Sequence, residues 1–261
     1  MQTQLRQAVV VAFGRTPYCK ARKGSFAQLH PVEYGAQTLL GVLARVPQLR
    51  PEDIGDVIMG CAMPFGVHGG NMARLIVQRA GLPDCVTAQT VNRYCSSGLQ
   101  TIATAANAIR CGEEDVVIAG GVESMSLVPM LVGAEDADPW LAEHRPEVYT
   151  TMGITAENVA RQWGISRADM DAMAVESHRR AAQAQAGGCF DGQIIPITVP
   201  GPDGGEVVVC RDEGIRPGTT AETLAGLKPC FLENGSVTAA TSSQMTDGAG
   251  FVVLKIGRAH V

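Results

Sequence analysis

Residues 87–99 read TAQTVNRYCSSGL and are the most informative part of the chain. Its first five residues suit a β-strand, and apolar or small residues then recur at steps of three and four from Leu99 to Ile109. This pattern predicts a strand, a short turn and a helix, with Cys95 in the turn at or next to the helix N-terminus. Free backbone N–H groups and the positive end of the helix dipole favour a thiolate at that place.

Two interpretations of Cys95 follow from the residues alone. The small residues 96–98 leave an open approach to sulfur and favour a nucleophile, whereas most free cysteines are buried and inert. A cysteine nucleophile usually needs a histidine base. None of the five histidines stands in a pattern that suggests one, and His178, among arginines, is predicted on a solvated helix face. Either the base lies outside this chain or the nucleophile interpretation is wrong.

Composition narrows the functional classes. The chain has 261 residues, 46% apolar and 18% charged, with a formal net charge of −5, which is typical of a globular α/β protein. It has no basic tract and no apolar stretch of membrane length, so neither nucleic acid nor a membrane is an expected partner. Eight cysteines without metal-ligand or dithiol spacing, and no signal peptide, favour a reducing cytoplasm.

Strand and helix patterns alternate in the first half of the chain. Strands are predicted at 9–13, 57–59, 87–91 and 115–119, the last closed by Gly120-Gly121, and helices at 33–46, at 71–80 and after Cys95. Such alternation indicates a sheet with helices on both faces. The unbroken apolar run at 116–119 is typical of a central strand that is buried on both sides.

The pattern changes after Gly121. Residues 122–150 show little periodicity, helices are predicted at 156–163 and 167–186, and strands at 194–199 and 206–210 flank a Pro-Gly-rich turn. Ser166 and Asp169 form a capping-box pattern at the start of the long helix. We predict a sheet domain of residues 1–121 and 244–255, whose last strand is 251–255, and an inserted α+β lobe of residues 122–243.

Two other places are candidates for chemistry. Glu123 follows a predicted strand end, where sites in α/β sheets cluster, and is either a general base or a structural carboxylate that accepts backbone N–H bonds. The structural role is favoured. Gly69-Gly70 precedes a helix start at Asn71 and Arg74 but lacks a phosphate-loop pattern, so a tight turn is favoured over phosphate binding.

Several segments together resemble one family. They are VNRYCSSGLQ (91–100), AGGVESMS (119–126), GITAENVA (153–160), DEGIRPGTT (212–220) and GSVTAATSSQMTDGA (235–249). In order and spacing they resemble the N-terminal half of the thiolases, more specifically the degradative 3-ketoacyl-CoA thiolases (acetyl-CoA C-acyltransferases). The resemblance spans residues 7–255.

This resemblance implies a fold, a reaction and a site. The fold is half of the thiolase fold, a mixed five-stranded sheet with helices on both faces and an inserted α+β loop domain that binds CoA. Cys95 is the acyl-accepting nucleophile, and Met152, Arg216, Thr223 and Ser243 line the CoA site. CoA is a co-substrate, with no permanently bound cofactor and no metal. The implied partners are acyl-CoA, CoA, further copies in a homodimer or homotetramer, and other subunits of a β-oxidation complex.

The sequence departs from the family pattern in two ways. Thr151 stands where some members have a histidine, which weakens a link to the acetoacetyl-CoA subgroup and favours longer substrates. The resemblance ends at Lys255, so 256–261 is predicted to be a non-native tail. Family members continue into a further domain with a histidine base and a second cysteine. This chain alone is therefore expected not to turn over. The alternatives are an acetyl-CoA acetyltransferase and a non-catalytic CoA- or lipid-binding module of the same fold.

Overall fold

The chain forms two compact units in a computed structural model that describes residues 6–130 and 134–257. The first unit comprises the described residues of Met1–Pro129, Gly192–Gly214 and Met245–Val261. The second comprises those of Met130–Asp191 and Ile215–Gln244.

The first unit alternates strands and helices as the sequence predicts. Its elements are β1 (Gln7–Arg15), β2 (Cys19–Lys20), α1 (Pro31–Leu43), β3 (Asp56–Gly60), α2 (Met72–Arg79), β4 (Thr87–Val91), α3 (Ser97–Cys111), β5 (Val116–Ser124), β6 (Ile197–Pro200), β7 (Glu206–Val209) and β8 (Thr246–Gly257). Pro31 lies in the first turn of α1, where its missing N–H costs nothing, and Gly112 ends α3 in the left-handed region with φ 82°.

The sheet is mixed, as the family resemblance implies. Its strand order is β1-β8-β5-β3-β4, and the two-residue β2 adds a short sixth strand on β8. Strand β3 runs parallel to both β4 and β5, whereas β8 runs antiparallel to β1 and β5. The carboxyl ends of β3, β4 and β5 therefore meet along one edge.

Helices cover both faces of the sheet because alternate strand residues point to opposite sides. Val57 and Met59 of β3 join the larger core, which also holds residues of α1 and α2. Ile58, between them, joins a smaller core with Ala105 and Ile109 of α3. The predicted two-sided coverage is confirmed.

The prediction that Gly120-Gly121 closes the fifth strand is wrong. Strand β5 runs through both glycines to Ser124, because Gly120 and Gly121 pair with Phe251 and Gly250 of β8. A Cβ on Gly120 would lie 2.2 Å from the carbonyl oxygen of Gly250. The glycines permit a close approach between two strands and do not end one of them.

The β6–β7 hairpin falls in the first unit, whereas residues 122–243 were predicted as one separate lobe. Ile195, which precedes β6, packs where Gly14 of β1 and Gly41 of α1 leave room. Gln37 of α1 both donates to the Thr198 carbonyl (3.0 Å) and accepts from its N–H (2.9 Å). These long-range contacts divide the predicted lobe in two.

The last strand extends past the predicted boundary at Lys255. Ile256 and Gly257 pair with Ala8 and Gln7 of β1, so the strand pattern includes the first two residues of the predicted tail. Residues 258–261 of that tail lie outside the described part of the chain.

The second unit is mostly helical. Its helices are α4 (Pro139–His144), α5 (Met152–Trp163), α6 (Arg167–Ala186) and α7 (Ala221–Ala225). Helix α6 has the predicted bounds, and the predicted capping box of Ser166 and Asp169 is confirmed. Helix α5 begins four residues before its predicted start, with Gly153 buried against the Phe231 ring. Within the described residues, no helix is both long and apolar enough to cross a membrane.

Candidate functional site

The predicted nucleophile lies at the edge where parallel strands end. Gly60 of β3 pairs with Val91 of β4 and with Gly121 of β5, so the segments that follow β3 and β4 emerge side by side. Sites in open α/β sheets form at this carboxyl edge. The segment after β4 carries Cys95.

A strained turn presents Cys95. Tyr94–Ser96 form one 3-10 turn that leads directly into α3, and Tyr94 has φ 48°, in the left-handed region that side chains disfavour. The Tyr94 N–H donates to Oδ1 of Asn92 (2.9 Å), and its carbonyl accepts from Oγ of Ser97 (2.5 Å). Oγ of Ser97 also accepts from the Arg93 N–H (2.8 Å). These bonds hold the turn in its strained form.

Cys95 itself is exposed. In residues 6–130 and 134–257 no hydrogen bond to its Sγ is present, and the N-cap residue Ser96 makes no side-chain hydrogen bond to the start of α3. The first N–H groups of α3 therefore have no side-chain cap beside this thiol. The predicted place of Cys95, an accessible strand-to-helix turn, agrees with the structure, while its chemical role stays a prediction.

Glu123 has the structural role that the sequence favoured. Its carboxylate accepts the N–H groups of Ala62 (2.7 Å) and Met63 (3.2 Å), just beyond β3, and the thiol of Cys61 (3.7 Å). A carboxylate that satisfies two backbone donors holds a strand end in place. Glu123 thus supports the loop beside the one that carries Cys95.

Cys61, His68 and Glu123 also form the one cluster of metal-ligand types found among the described residues, with ligand atoms within 4.8 Å of one another. Both ring nitrogens of the buried His68 are engaged, Nδ1 with the Met63 carbonyl (2.9 Å) and Nε2 with the Ser124 N–H (2.9 Å). Burial, and then the neighbouring carboxylate, raise the pKa of the Cys61 thiol to about 12. Metal binding needs a free imidazole lone pair and a thiolate. The cluster is therefore a hydrogen-bonded support.

The four residues expected at the CoA site all belong to the second unit. Met152 begins α5, is 64% exposed and lines an open apolar groove of about 500 Å³. The groove is lined by Ala156 and Val159 of α5, Met170 and Met173 of α6, and Ile165 between the two helices. Ser243 is exposed near the end of the unit. Met152 and Ser243 are accessible in their own unit.

Arg216 and Thr223 lie on one segment that ends in α7. The Arg216 side chain is exposed, and among the described residues no hydrogen bond to its guanidinium is present. Its backbone N–H donates to Nδ1 of His178 (3.2 Å), so the prediction of His178 on a purely solvated face is wrong. The Thr223 hydroxyl accepts from the Thr220 N–H (3.0 Å) and donates to its carbonyl (2.8 Å). Thr223 thus already serves as a helix cap.

Glu157 of α5 was missed by the sequence reasoning. Its carboxylate accepts the N–H groups of Ser236 (2.9 and 3.1 Å) and Val237 (2.8 Å) and the Ser236 hydroxyl (3.0 Å). Burial alone would raise the pKa of Glu157, but these hydrogen bonds outweigh it and lower the pKa below its ordinary value. A Cβ on Gly235 would lie 2.3 Å from the Glu157 carboxylate. A glycine at position 235 is therefore the sequence signal that could indicate this contact.

The fold and site together define an α/β protein with a cysteine exposed at a strand-to-helix turn. The chain belongs to the thiolase family, since the family's sequence profile, described as the N-terminal domain of thiolase, matches residues 8–256. The predicted family is confirmed.

Relatives and a solved structure agree with this membership. The chain is 48% identical over 258 residues to a 3-ketoacyl-CoA thiolase of Bacillus subtilis, covering 96% of this chain and 66% of the relative. It is 41% identical to a peroxisomal 3-ketoacyl-CoA thiolase of Homo sapiens, covering 97% and 60%. The crystal structure of the Bacillus anthracis acetyl-CoA acetyltransferase matches at a TM-score of 0.86 and 36% identity, covering 97% of this chain and 66% of that one. The chain thus spans less than two thirds of the length of these proteins.

Proposed function

We propose that this chain is the acyl-accepting half of a 3-ketoacyl-CoA thiolase that acts in fatty-acid β-oxidation. The observation that carries the proposal is the exposed Cys95 thiol in the strained turn before α3, within a chain of the thiolase family. Relatives named 3-ketoacyl-CoA thiolase support the choice of reaction.

The proposed reaction has two steps on Cys95. The thiolate adds to the ketone carbon of a 3-ketoacyl-CoA, and the bond between the second and third acyl carbons breaks. Its electron pair leaves on the acetyl-CoA carbon, which takes up a proton, while the shortened acyl group stays on sulfur as a thioester. The thiol of a second CoA then attacks this thioester, loses its proton and releases Cys95. A thiolate suits both steps, since it attacks well and leaves readily.

The proton transfers need groups beyond Cys95. His68 is engaged at both ring nitrogens, and His30 Nδ1 accepts the Val32 N–H at the start of α1. The family resemblance implies a histidine base and a second cysteine on a further domain. The proposal for this chain is therefore acyl acceptance by Cys95.

CoA is the proposed co-substrate, and no permanently bound cofactor is proposed. Arg216 supplies an exposed guanidinium, whose geometry matches a phosphate group. Met152 supplies an apolar surface on α5 for the less polar part of the molecule. The side chains of Thr223 and Ser243 complete the proposed contacts, Thr223 while it also caps α7.

The proposal extends to location and assembly. All eight cysteines are free, which fits a reducing compartment such as the cytoplasm, although several relatives are named as peroxisomal. We propose a homodimer or homotetramer for the full-length enzyme, and membership of a β-oxidation complex.

A second candidate is an acetyl-CoA acetyltransferase. The match to the Bacillus anthracis structure of that name favours it, while the higher identity to the Bacillus subtilis relative favours the first. Acylation of Cys95 by acetoacetyl-CoA and by a long-chain 3-ketoacyl-CoA should be compared by intact mass. Faster acylation by the long-chain substrate supports the first candidate, and the reverse order supports the second.

Iodoacetamide alkylation tests the nucleophile role against a non-catalytic CoA-binding module. We expect Cys95 to react at least about tenfold faster than the exposed Cys85, because of the open helix start beside it. We also expect acetyl-CoA to protect Cys95 and leave Cys85 unprotected. Equal rates at the two thiols, or a Cys95 rate that acetyl-CoA leaves unchanged, would contradict the proposal.

A further inference from the structure

Helix α6 holds the segment that carries two of the proposed CoA contacts. The Arg216 N–H donates to Nδ1 of His178, in the middle of the helix. At the far end of the segment, Nη2 of Arg167 donates to the Leu224 carbonyl (2.8 Å). Arg167 and His178 are eleven residues apart, or about 16 Å along the helix axis. Residues 216–224 therefore lie along α6 between two fixed points.

The segment between these points also has hydrogen bonds of its own. The Arg216 carbonyl accepts the N–H (3.2 Å) and the hydroxyl (2.9 Å) of Thr219, which closes a turn directly after the arginine. Thr220 and Thr223 then form a capping box at the start of α7. With the turn and the cap formed, the His178 bond sets where the Arg216 backbone lies on α6.

The hydrogen bond also defines which nitrogen of the His178 imidazole acts as an acceptor. Nδ1 accepts a hydrogen bond, so it carries no proton in this arrangement. The side chain is half-buried, and the neighbouring Arg179 and Arg180 are both paired with Glu176. The two arginines are thus held by their own helix, and the imidazole is the group that reaches the segment's first residue.

We propose that His178 is a positioning residue for CoA binding, which orients Arg216 toward a phosphate group of CoA through the Arg216 backbone. The inference rests on the proposed function for its ligand. In this role His178 does not contact the substrate, and it affects CoA binding only by positioning the Arg216 guanidinium.

The test measures CoA affinity of this chain by calorimetry in a double-mutant cycle. Arg216→Ala should raise the CoA Kd about tenfold, as expected for a lost guanidinium–phosphate bond. His178→Leu should raise it about fivefold, through a misplaced arginine. The double variant should bind no more weakly than Arg216→Ala alone, because two residues that act as one unit are non-additive.

Three further variants separate positioning from general structural damage. His178→Asn keeps an acceptor near the place of Nδ1 and should bind CoA within about twofold of the unchanged chain. His178→Gln, with its acceptor one methylene further out, should behave like the leucine variant, and it replaces that variant if the latter does not fold. His144→Leu removes an exposed imidazole on α4 of the same unit and should leave the Kd unchanged.

Two results would overturn the inference. Equal CoA affinity of His178→Leu and the unchanged chain contradicts it directly. A CoA Kd of the double variant that is raised by the product of the two single-variant factors also contradicts it. Absence of CoA binding by the unchanged chain overturns the inference together with the proposed CoA contacts. The acyl-acceptor role is measured separately, by Cys95 labelling, and a failure there is distinguishable from a failure of CoA affinity.

Discussion

The ends of β3 and β4 lie side by side, and each is followed by a cysteine, one of which is buried and the other exposed. Cys61 directly follows β3, is fully buried and has its pKa raised to about 12 by burial and by Glu123. Cys95 lies in the short turn that follows β4 and is exposed just before the start of α3. The same residue type at the same sheet edge is a support in one loop and a candidate nucleophile in the other. The difference in burial between the two cysteines comes from the loops that follow the two strands.

The largest expected effect concerns the carboxylate that holds the β3 loop. Glu123→Ala should lower the free energy of unfolding by about 3 kcal/mol, because the N–H groups of Ala62 and Met63 lose their acceptor. Urea denaturation followed by circular dichroism measures the change. Glu52→Ala, an exposed carboxylate without a hydrogen bond among the described residues, is the control and should stay within about 0.5 kcal/mol. Equal costs for the two variants would show that Glu123 supports nothing.

A second prediction couples the two strand ends. Gly60→Ala should cost about 2 kcal/mol, since its Cβ would lie 2.6 Å from Cβ of Ser97 and 2.9 Å from the N atom of Gly98. The displaced start of α3 should also slow the alkylation of Cys95. Gly98→Ala is the matched control, because no atom outside its chain neighbours and the backbone of its own helix lies within 4 Å of its Cβ position. It should stabilise α3 by about 0.5–1 kcal/mol. A harmless Gly60→Ala would disprove the close contact between β3 and α3.

A third prediction concerns the pH dependence of stability. Burial raises the pKa of the folded-state Cys61 thiol from its ordinary value of 9.0 to about 12, so above pH 9 the unfolded chain releases this proton first. The stabilisation is complete below pH 9 and is lost as the pH rises toward 12. Its slope reaches about 1.4 kcal/mol per pH unit for one proton. Urea titrations should show a shallower alkaline loss in Cys61→Ala than in the unchanged chain. Identical slopes would contradict the burial of an un-ionised thiol.

The smallest effect concerns the turn before α3. Tyr94→Gly should stabilise the chain by about 0.5–1 kcal/mol, because glycine accepts the φ of 48° and the exposed ring contributes little packing. Tyr94→Ala keeps the Cβ, and with it the strain, so it should give no gain. Thermal unfolding of both variants measures the difference. A gain of the same size in both would place the cause in the ring.

Local patterns sufficed for most of the first unit. The strand at Thr87–Val91, the turn with Cys95 and the helix after it are encoded within two dozen residues, and the structure agrees. The end of β5 was mispredicted because its glycines pair with β8, about 130 residues further along the chain. The β6–β7 hairpin was placed in the wrong unit for a similar reason. Gly14 and Gly41 leave room for Ile195, which holds the hairpin in the first unit, and this packing joins residues far apart in the sequence.

The supporting residues of the site were the least predictable part. His178 lies among arginines on a helix whose apolar and polar residues form no clear stripe. Its bond to the Arg216 N–H joins residues 38 positions apart. Glu157 meets its partners 79 and 80 positions away. Side-chain to backbone bonds of this range leave no periodic signal. Two of the proposed functional positions have a clear sequence signal: Cys95 through a local turn pattern, and Arg216 through family resemblance.

Transfer of an acetyl group tests the acyl-acceptor claim most directly. The chain is incubated with excess acetyl-CoA, and the acetyl thioester on each cysteine is quantified by peptide mapping in the unchanged chain and in Cys95→Ser. In this exchange the sulfur–carbon bond to CoA breaks as that to Cys95 forms, and CoA takes the thiol proton. In the unchanged chain we predict a thioester on Cys95, which added CoA removes, and no thioester on Cys61. In Cys95→Ser we predict that no residue is acetylated more than the exposed Cys85. Equal acetylation of Cys95 and Cys85 would contradict the account.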